Sequence, residues 1–236
     1  MILIRLIRTI LAALVAILGF AVGSAIALVL QAVTSKDATI YWRVSHHYFH
    51  WVLAVAGVRV HSKGLQYLET DGGVLLASNH QSLFDIPILT ALVPRPLLFV
   101  AKKELFAIPF LGWYMRQRGD ISLDRGSLKA LTDMKRVGDL IKKGVVVVIF
   151  PEGTRSRDGS LGAFKRGGLK ILSGAQVPII PVEISGSYSI LPRGKRLITS
   201  QTVNVTIDTP LPMAGQNEDE MISELRQRLA DLLRAG

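Results

Sequence analysis

The sequence predicts an α/β fold preceded by an N-terminal membrane segment. Short apolar runs recur at 74–78, 97–101, 119–123, 145–150, 177–182 and 203–208, with amphipathic stretches between several of them. The run Val145-Val146-Val147-Val148-Ile149-Phe150 is apolar at every position, as a strand covered on both faces requires. From Thr9 to Ser35 no residue is charged. Hydrophobic residues make up 49% of the 236, and mean hydropathy is +0.36. That is too apolar for an ordinary soluble enzyme and too polar for a polytopic channel, so one membrane-attached part on a globular body is expected.

The chain opens with that part. Residues 10–33 as a helix would be about 36 Å long, enough to cross a hydrocarbon core of roughly 30 Å. No short apolar core with a small-x-small cleavage site follows, so a retained anchor is expected rather than a signal peptide. Gly19 and Gly23 form a small-xxx-small pair that permits close helix packing. Arg5 and Arg8 favour a cytoplasmic N-terminus, and a single crossing would then put the body outside. A second uncharged stretch, 44–58, resolves the tension, with Trp42, His46, His47, Tyr48, Phe49 and Trp51 around its start. A two-helix hairpin, dipping into one leaflet or crossing twice, would keep both ends cytoplasmic. The shallow version is favoured because the second stretch is short for a span. The alternative is a single anchor with 44–58 as a core helix. The expected division is a membrane-associated two-helix anchor at 1–58 and an α/β domain at 59–236.

In the body, 127–143 reads most clearly as a helix. Ser127 caps it, Leu128, Leu131, Met134, Val137 and Ile141 form one stripe, and Gly144 closes it. Val203, Val205 and Ile207 alternate with Asn204, Thr206 and Asp208, which predicts a half-exposed strand nearer an edge. Residues 218–234 carry Met221, Ile222, Leu225, Leu229, Leu232 and Leu233 on one side, and an acidic start and basic end that suit the helix dipole.

The chemistry concentrates in a few turns. In Asn79-His80-Gln81-Ser82-Leu83-Phe84-Asp85 an imidazole and a carboxylate bracket a strand-to-helix turn, where open α/β sheets place their chemistry. Five residues rotate an ideal helix by about 140°, so the two side chains cannot share a helical face; in a turn they can meet. A carboxylate on one ring nitrogen leaves the other as a general base, although a polar turn whose histidine caps a helix would read the same. Lys102-Lys103 stands at a strand end, where lysines either hold a phosphate or are simply solvated. Gly119-Asp120 through Asp124-Arg125 suits a local salt bridge better than a site. Phe150-Pro151-Glu152-Gly153-Thr154-Arg155-Ser156 follows the most apolar strand and joins a glycine turn, a hydroxyl and a guanidinium, which suits an anionic phosphate as well as it suits a polar loop. Arg157, Lys165 and Arg166 add charge nearby. Val177-Pro178-Ile179-Ile180-Pro181-Val182 has no ionisable group and reads as packing or the wall of a greasy channel.

A net charge of +10 points to an anionic partner: nucleic acid, acidic lipid or a phosphorylated substrate. The apolar N-terminus and the lack of a basic–aromatic platform argue against nucleic acid. There is no cysteine, which excludes disulfides, thiol nucleophiles and cysteine zinc sites. No G-x-S-x-G elbow and no Walker or Rossmann glycine pattern occurs. His46 and His50 are the one ligand pair with suitable spacing among His46, His47, His50 and His61, and an interfacial or core role is expected for them.

Together these stretches resemble the glycerolipid acyltransferases, in particular the 1-acylglycerol-3-phosphate acyltransferase branch. Asn79-His80 to Asp85 resembles the family's H-x4-D block. Lys102 through Gly112, continuing to Asp124-Arg125, resembles the second block, Phe150 to Ser156 the third and Val177 to Val182 the fourth. The resemblance covers roughly residues 60–210, and the ordered set with an intact F-P-E-G-T-R-S is specific. It implies a mixed, mostly parallel sheet flanked by helices, and acyl transfer from acyl-CoA or acyl carrier protein to lysophosphatidate. His80 would be the base and Asp85 its orienting partner. Lys102, Arg125, Glu152, Gly153, Thr154 and Arg155 would bind substrate. No metal, resident cofactor or acyl-enzyme is implied. The partners are membrane lipid, including an anionic phospholipid surface, and the acyl carrier. The implied location is the cytoplasmic face of a membrane, the inner one if the source is bacterial. Another lyso acceptor, glycerol 3-phosphate, or water in a thioesterase are the competing acceptors.

Overall fold

A computed structural model describes residues 2–33, 39–123, 129–165, 177–192, 194–211 and 217–235. Two helices lead, α1 (Ile2–Val33) and α2 (Thr39–Val55). The body follows as β1 (Val58–Lys63), β2 (Leu75–Ser78), α3 (Asp85–Leu92), β3 (Leu97–Lys102), α4 (Leu111–Arg118), β4 (Ile121–Leu123), α5 (Lys129–Lys142), β5 (Val146–Ile149), β6 (Ile179–Ser185), β7 (Gln201–Ile207) and α6 (Glu218–Ala235).

The seven strands form one sheet in the order β1-β7-β6-β2-β5-β3-β4. Every neighbouring pair is parallel except β6 with β7. β2, β3, β5 and β6 therefore all end at one edge. The expected mostly parallel sheet is present, with one more strand than the apolar runs advertised. β1 is the addition, and it begins at the last residue of the stretch read as a second helix. Its Val-Arg-Val-His-Ser-Lys pairs in parallel with β7 along six residues.

Alternation within the strands divides the core. Leu76, Val148, Ile180 and Val182 face α2 and α3, together with Leu53, Ile88 and Leu89. Leu75, Ala77, Val147, Ile149 and Ile179 face the other way, against Val137 and Ile141 of α5 and Leu225 and Leu229 of α6. Both faces are covered, so the central strands need no polar side. Each fully buried Val, Leu or Ile contributes roughly 1.5–3 kcal/mol. Asn217 opens α6 with a reciprocal cap: Glu220 N–H donates to its Oδ1 at 2.9 Å, and its own N–H donates to Glu220 Oε2 at 3.1 Å.

α1 and α2 pack closely where the two glycines predict it. A Cβ on Gly19 would lie 2.6 Å from the Tyr48 ring, and one on Gly23 would lie 3.2 Å from Val44 Cγ1. α1 is long and apolar enough to cross a membrane. Yet the pair is not separate from the body. Thr9 Oγ1 accepts from Ile198 N–H at 2.8 Å, and Ala12 and Leu53 lie in the main core. α2 thus combines the two expectations for its sequence, hairpin partner on one side and core helix on the other. His46 joins it to α3, its Nδ1 2.9 Å from Thr90 O, with the His50 ring edge-on at 4.9 Å.

Candidate active site

β2 delivers the histidine. One residue past its end, the Asn79 amide continues the sheet by side chain: Nδ2 donates to Ile184 O and Ile184 N–H donates to Oδ1, each at 2.8 Å. The next residue, His80, is held at both ends of its backbone. Its N–H donates to Glu152 Oε1 at 2.8 Å, and its carbonyl accepts from Ser156 N–H at 2.7 Å. The imidazole lies flat on Phe150, centroids 4.1 Å apart and planes 18° apart.

Asp85 opens α3 and is fully buried. Its Oδ2 lies 2.7 Å from His80 Nδ1 and also accepts the N–H groups of Gln81 and Ser82 at 2.7 and 2.8 Å. Its Oδ1 accepts the Ser187 hydroxyl at 2.6 Å. A carboxylate in this position only accepts, so the imidazole is the donor at Nδ1 and Nε2 is left to take a proton. The expected pair is therefore formed, and formed rigidly.

His80 lines a cleft of about 340 Å³. Leu83, Ile86, Phe99, Leu105, Ile149 and Phe150 make much of its wall apolar, and Lys102, Gly153, Thr154 and Arg155 share it. Four of the expected substrate-binding residues thus share the cleft with the histidine, Lys102 at the end of β3 and the other three on the turn after β5. Gly153 adopts φ 60°, a left-handed backbone that glycine takes without a Cβ penalty.

Glu152 is placed differently from the expectation that it grips substrate. It is buried, and both its oxygens are occupied by main-chain amides, His80 N–H and Gly162 N–H at 2.8 and 2.7 Å. It braces the turn and the base. Burial pushes its carboxyl above the usual range while the two amides pull it back. Arg125 lies outside the described residues, as do Asp124, Ser127 and Arg166. The Val177–Val182 stretch packs within the sheet as β6 and its approach, and is not among the residues lining the cleft. The acid–base pair Asp124-Arg125 thus lies outside the described residues; just before it Asp120 pairs with Arg118, both buried and 2.8 Å apart.

That ion pair belongs to a longer stack. Arg118 Cζ lies 5.0 Å from the Phe99 ring centroid, and Asp120 Oδ1 accepts Phe99 N–H at 2.9 Å. The Phe99 ring is 6.2 Å from Phe150, at 12°, and Phe150 lies on His80. Sequence reasoning missed this column, and it missed Ser187. The one available signal for Ser187 was topological: a hydroxyl just beyond the strand that neighbours β2.

The chemical capacity is that of a base in an apolar cleft with cations beside it. The acyltransferase family model matches residues 59–185, which contain the whole of this arrangement except Ser187. The chain is 34% identical over 197 residues to the 1-acyl-sn-glycerol-3-phosphate acyltransferase LPAT1, chloroplastic, of Arabidopsis thaliana, covering 81% of this chain and 55% of that protein. It is 36% identical over 177 residues to the 1-acyl-sn-glycerol-3-phosphate acyltransferase of Pseudomonas aeruginosa, covering 74% and 67%. The chain spans from about half to two thirds of the length of these curated relatives. The crystal structure of the 1-acyl-sn-glycerophosphate (LPA) acyltransferase PlsC from Thermotoga maritima superposes with a TM-score of 0.85 at 26% identity, over 98% of this chain and 95% of that one. On the family match and on these likenesses across both parts of the chain, this protein belongs to the acyltransferase family.

Proposed function

We propose that this protein moves a fatty acyl group from the thioester of coenzyme A or acyl carrier protein to the 2-hydroxyl of a 1-acylglycerol 3-phosphate, giving phosphatidate. The observation that carries the reading is the His80 Nδ1–Asp85 Oδ2 pair at 2.7 Å on the wall of a cleft that also holds Lys102 and Arg155. His80 Nε2 takes the hydroxyl proton as the oxygen attacks the thioester carbonyl. The C–S bond breaks, and the departing thiolate recovers the proton from the imidazolium. Asp85 keeps the ring oriented and offsets its transient charge. Lys102 and Arg155, with the Gly153-Thr154 turn, hold the phosphate as a point charge and a planar fork. The Arabidopsis, Pseudomonas and Thermotoga names support this acceptor.

Residues 1–58 act as the membrane anchor and 59–236 as the catalytic domain, with the body on the cytoplasmic face and the helix pair in one leaflet. The acceptor and product are bilayer lipids. Each methylene drawn into water costs about 0.8 kcal/mol, so a cleft near the lipid surface spares full extraction. The positive charge of the chain, +10 in all, holds it to anionic headgroups. The test is thiol release from oleoyl-CoA by the purified full chain with several lyso acceptors, comparing wild type with His80→Ala. Release that depends on lysophosphatidate and vanishes in the variant is expected. Near-normal turnover by His80→Ala overturns the mechanism, and release without any acceptor overturns the assignment in favour of a thioesterase.

A further inference from the structure

Residues 105–111, Leu-Phe-Ala-Ile-Pro-Phe-Leu, contain no polar side chain, and the fold turns them outward. Leu105, Ile108 and Leu111 are exposed, and Phe110 is 79% exposed. The segment is braced. Phe110 adopts φ 60° and ψ −53°, with Leu111 N–H donating to Pro109 O at 2.6 Å, a γ-turn that an L-residue adopts only under constraint. The constraint is visible. Gly112 approaches so closely that a Cβ on it would lie 2.0 Å from Phe106 O, and Arg116 Nη1 donates to that same carbonyl at 2.6 Å. An aromatic ring held in water by a strained, pinned turn gives nothing back to the stability of its own chain.

Its surroundings identify what covers it. On one side Leu105, with exposed Leu83, lines the cleft beside His80, so the knob forms the lip of that cleft. On the other side α4 starts at Leu111 and packs on the helix pair, with Tyr114 edge-on to Phe20 at 4.8 Å and to Tyr41 at 5.9 Å. Phe20 belongs to α1, whose Ile17, Leu18 and Val22 are exposed. Apolar surface therefore runs from the membrane-length helix to the mouth of the cleft. Exposed Lys102, Lys103 and Glu104 precede the apolar run and exposed Arg116 follows it on α4, a net positive flank of the kind found beside segments that enter an anionic interface.

We propose that residues 105–111 are a second membrane contact, a knob whose tip, Phe110, enters the acyl-chain layer of the leaflet that holds α1 and keeps the cleft mouth open onto lipid. The occupant is the leaflet rather than a second copy of the chain, because the knob's surface continues that of α1. This inference rests on the membrane-anchor reading of residues 1–58, and the experiment separates the two.

The chain has no cysteine, so single-cysteine variants can be labelled at one place. Phe110→Cys, Ile108→Cys, Ile17→Cys on α1 and Gln227→Cys on α6, which covers the opposite face of the sheet, are nitroxide-labelled in the full chain. Each is placed in phosphatidylcholine–phosphatidylglycerol vesicles, and collision with oxygen is compared with collision with a water-soluble nickel chelate. The expected oxygen-to-nickel ratio at 108, 110 and 17 is several-fold above that at 227. Lipid-like values at 17 with water-like values at 108 and 110 overturn the knob alone. Water-like values at all four positions overturn the anchor reading with it. Spin–spin broadening at 110 that disappears on dilution with unlabelled protein overturns it in favour of a second copy. In kinetics, Phe110→Asp is expected to raise the apparent KM for lysophosphatidate in vesicles about tenfold and to leave turnover of a short-chain, monomeric acceptor unchanged. An equal loss on both acceptors overturns the proposal.

Discussion

Replacing Ser187 by alanine tests whether the catalytic pair depends on a residue that no motif contains. The hydroxyl donates to Asp85 Oδ1 at 2.6 Å, and both side chains are fully buried. Removing it leaves Oδ2 with its three donors and Oδ1 with none, in a place that offers little room for water. A hydrogen bond to a charged group contributes roughly 1.5–3 kcal/mol. For a chain of this size that corresponds to a fall in Tm of about 3–12 °C. The carboxylate also loses one of the contacts that stop it from rotating about its Cβ–Cγ bond, so its hold on the imidazole loosens when the ring becomes charged. A fall in kcat of about 10- to 100-fold, equivalent to roughly 1.4–2.8 kcal/mol, is expected. KM for the acceptor should stay near wild type, because Ser187 does not line the cleft. Ser187→Thr keeps the hydroxyl and should recover most of the rate. The assay is thiol release at saturating oleoyl-CoA over a range of lysophosphatidate, with thermal unfolding in the same detergent. A Ser187→Ala enzyme with kcat within twofold of wild type would refute the reasoning, whatever its Tm.

Three further outcomes follow from the same geometry. Glu152→Gln can accept only one of the two amide bonds, from His80 or Gly162, so stability should fall by about 1–3 kcal/mol and kcat should drop while phosphate affinity holds. A rise in acceptor KM alone would show that the carboxylate faces the ligand after all. Arg118→Met should destabilise by about 3–5 kcal/mol because it strands buried Asp120, whereas Arg118→Met with Asp120→Leu should lose much less; equal losses in a double-mutant cycle by urea melting would disprove the coupling. Glu183 is buried on β6, its Oε1 meets no donor, and burial pushes its carboxyl up to about 7. The folded chain therefore holds a proton that the unfolded chain releases, and its contribution to stability falls as pH rises from about 5 through 7. Glu183→Gln should match wild type near pH 5 and exceed it at pH 8 by roughly 1–3 kcal/mol. A variant that is less stable at pH 8 would contradict this sign.

The legible parts of the molecule were those fixed by local spacing. The His80–Asp85 contact follows from five residues spanning a strand-to-helix turn, and the central strands follow from uninterrupted apolar runs. β1 escaped because its three exposed positions, Arg59, His61 and Lys63, alternate beside an apolar stretch that already read as helix. α1 begins at Ile2 because Arg5 and Arg8, which end the uncharged run, fit a helix well. Glu152 was misplaced for a different reason. A carboxylate in a turn looks the same in sequence whether it faces a ligand or its own backbone, and only the neighbouring chain decides. Ser187, Phe99 and Arg118 reach His80 through contacts between distant segments, which no local pattern records.

The column of Arg118, Phe99, Phe150 and the histidine ring draws one plane from each of four separated pieces of chain. Until β3 and the turn after β5 have docked beside the turn after β2, the ring lacks its stacked face. On the proposed activity, a partly assembled chain would present an unseated base, so turnover would report on the assembly of these segments as well as on substrate.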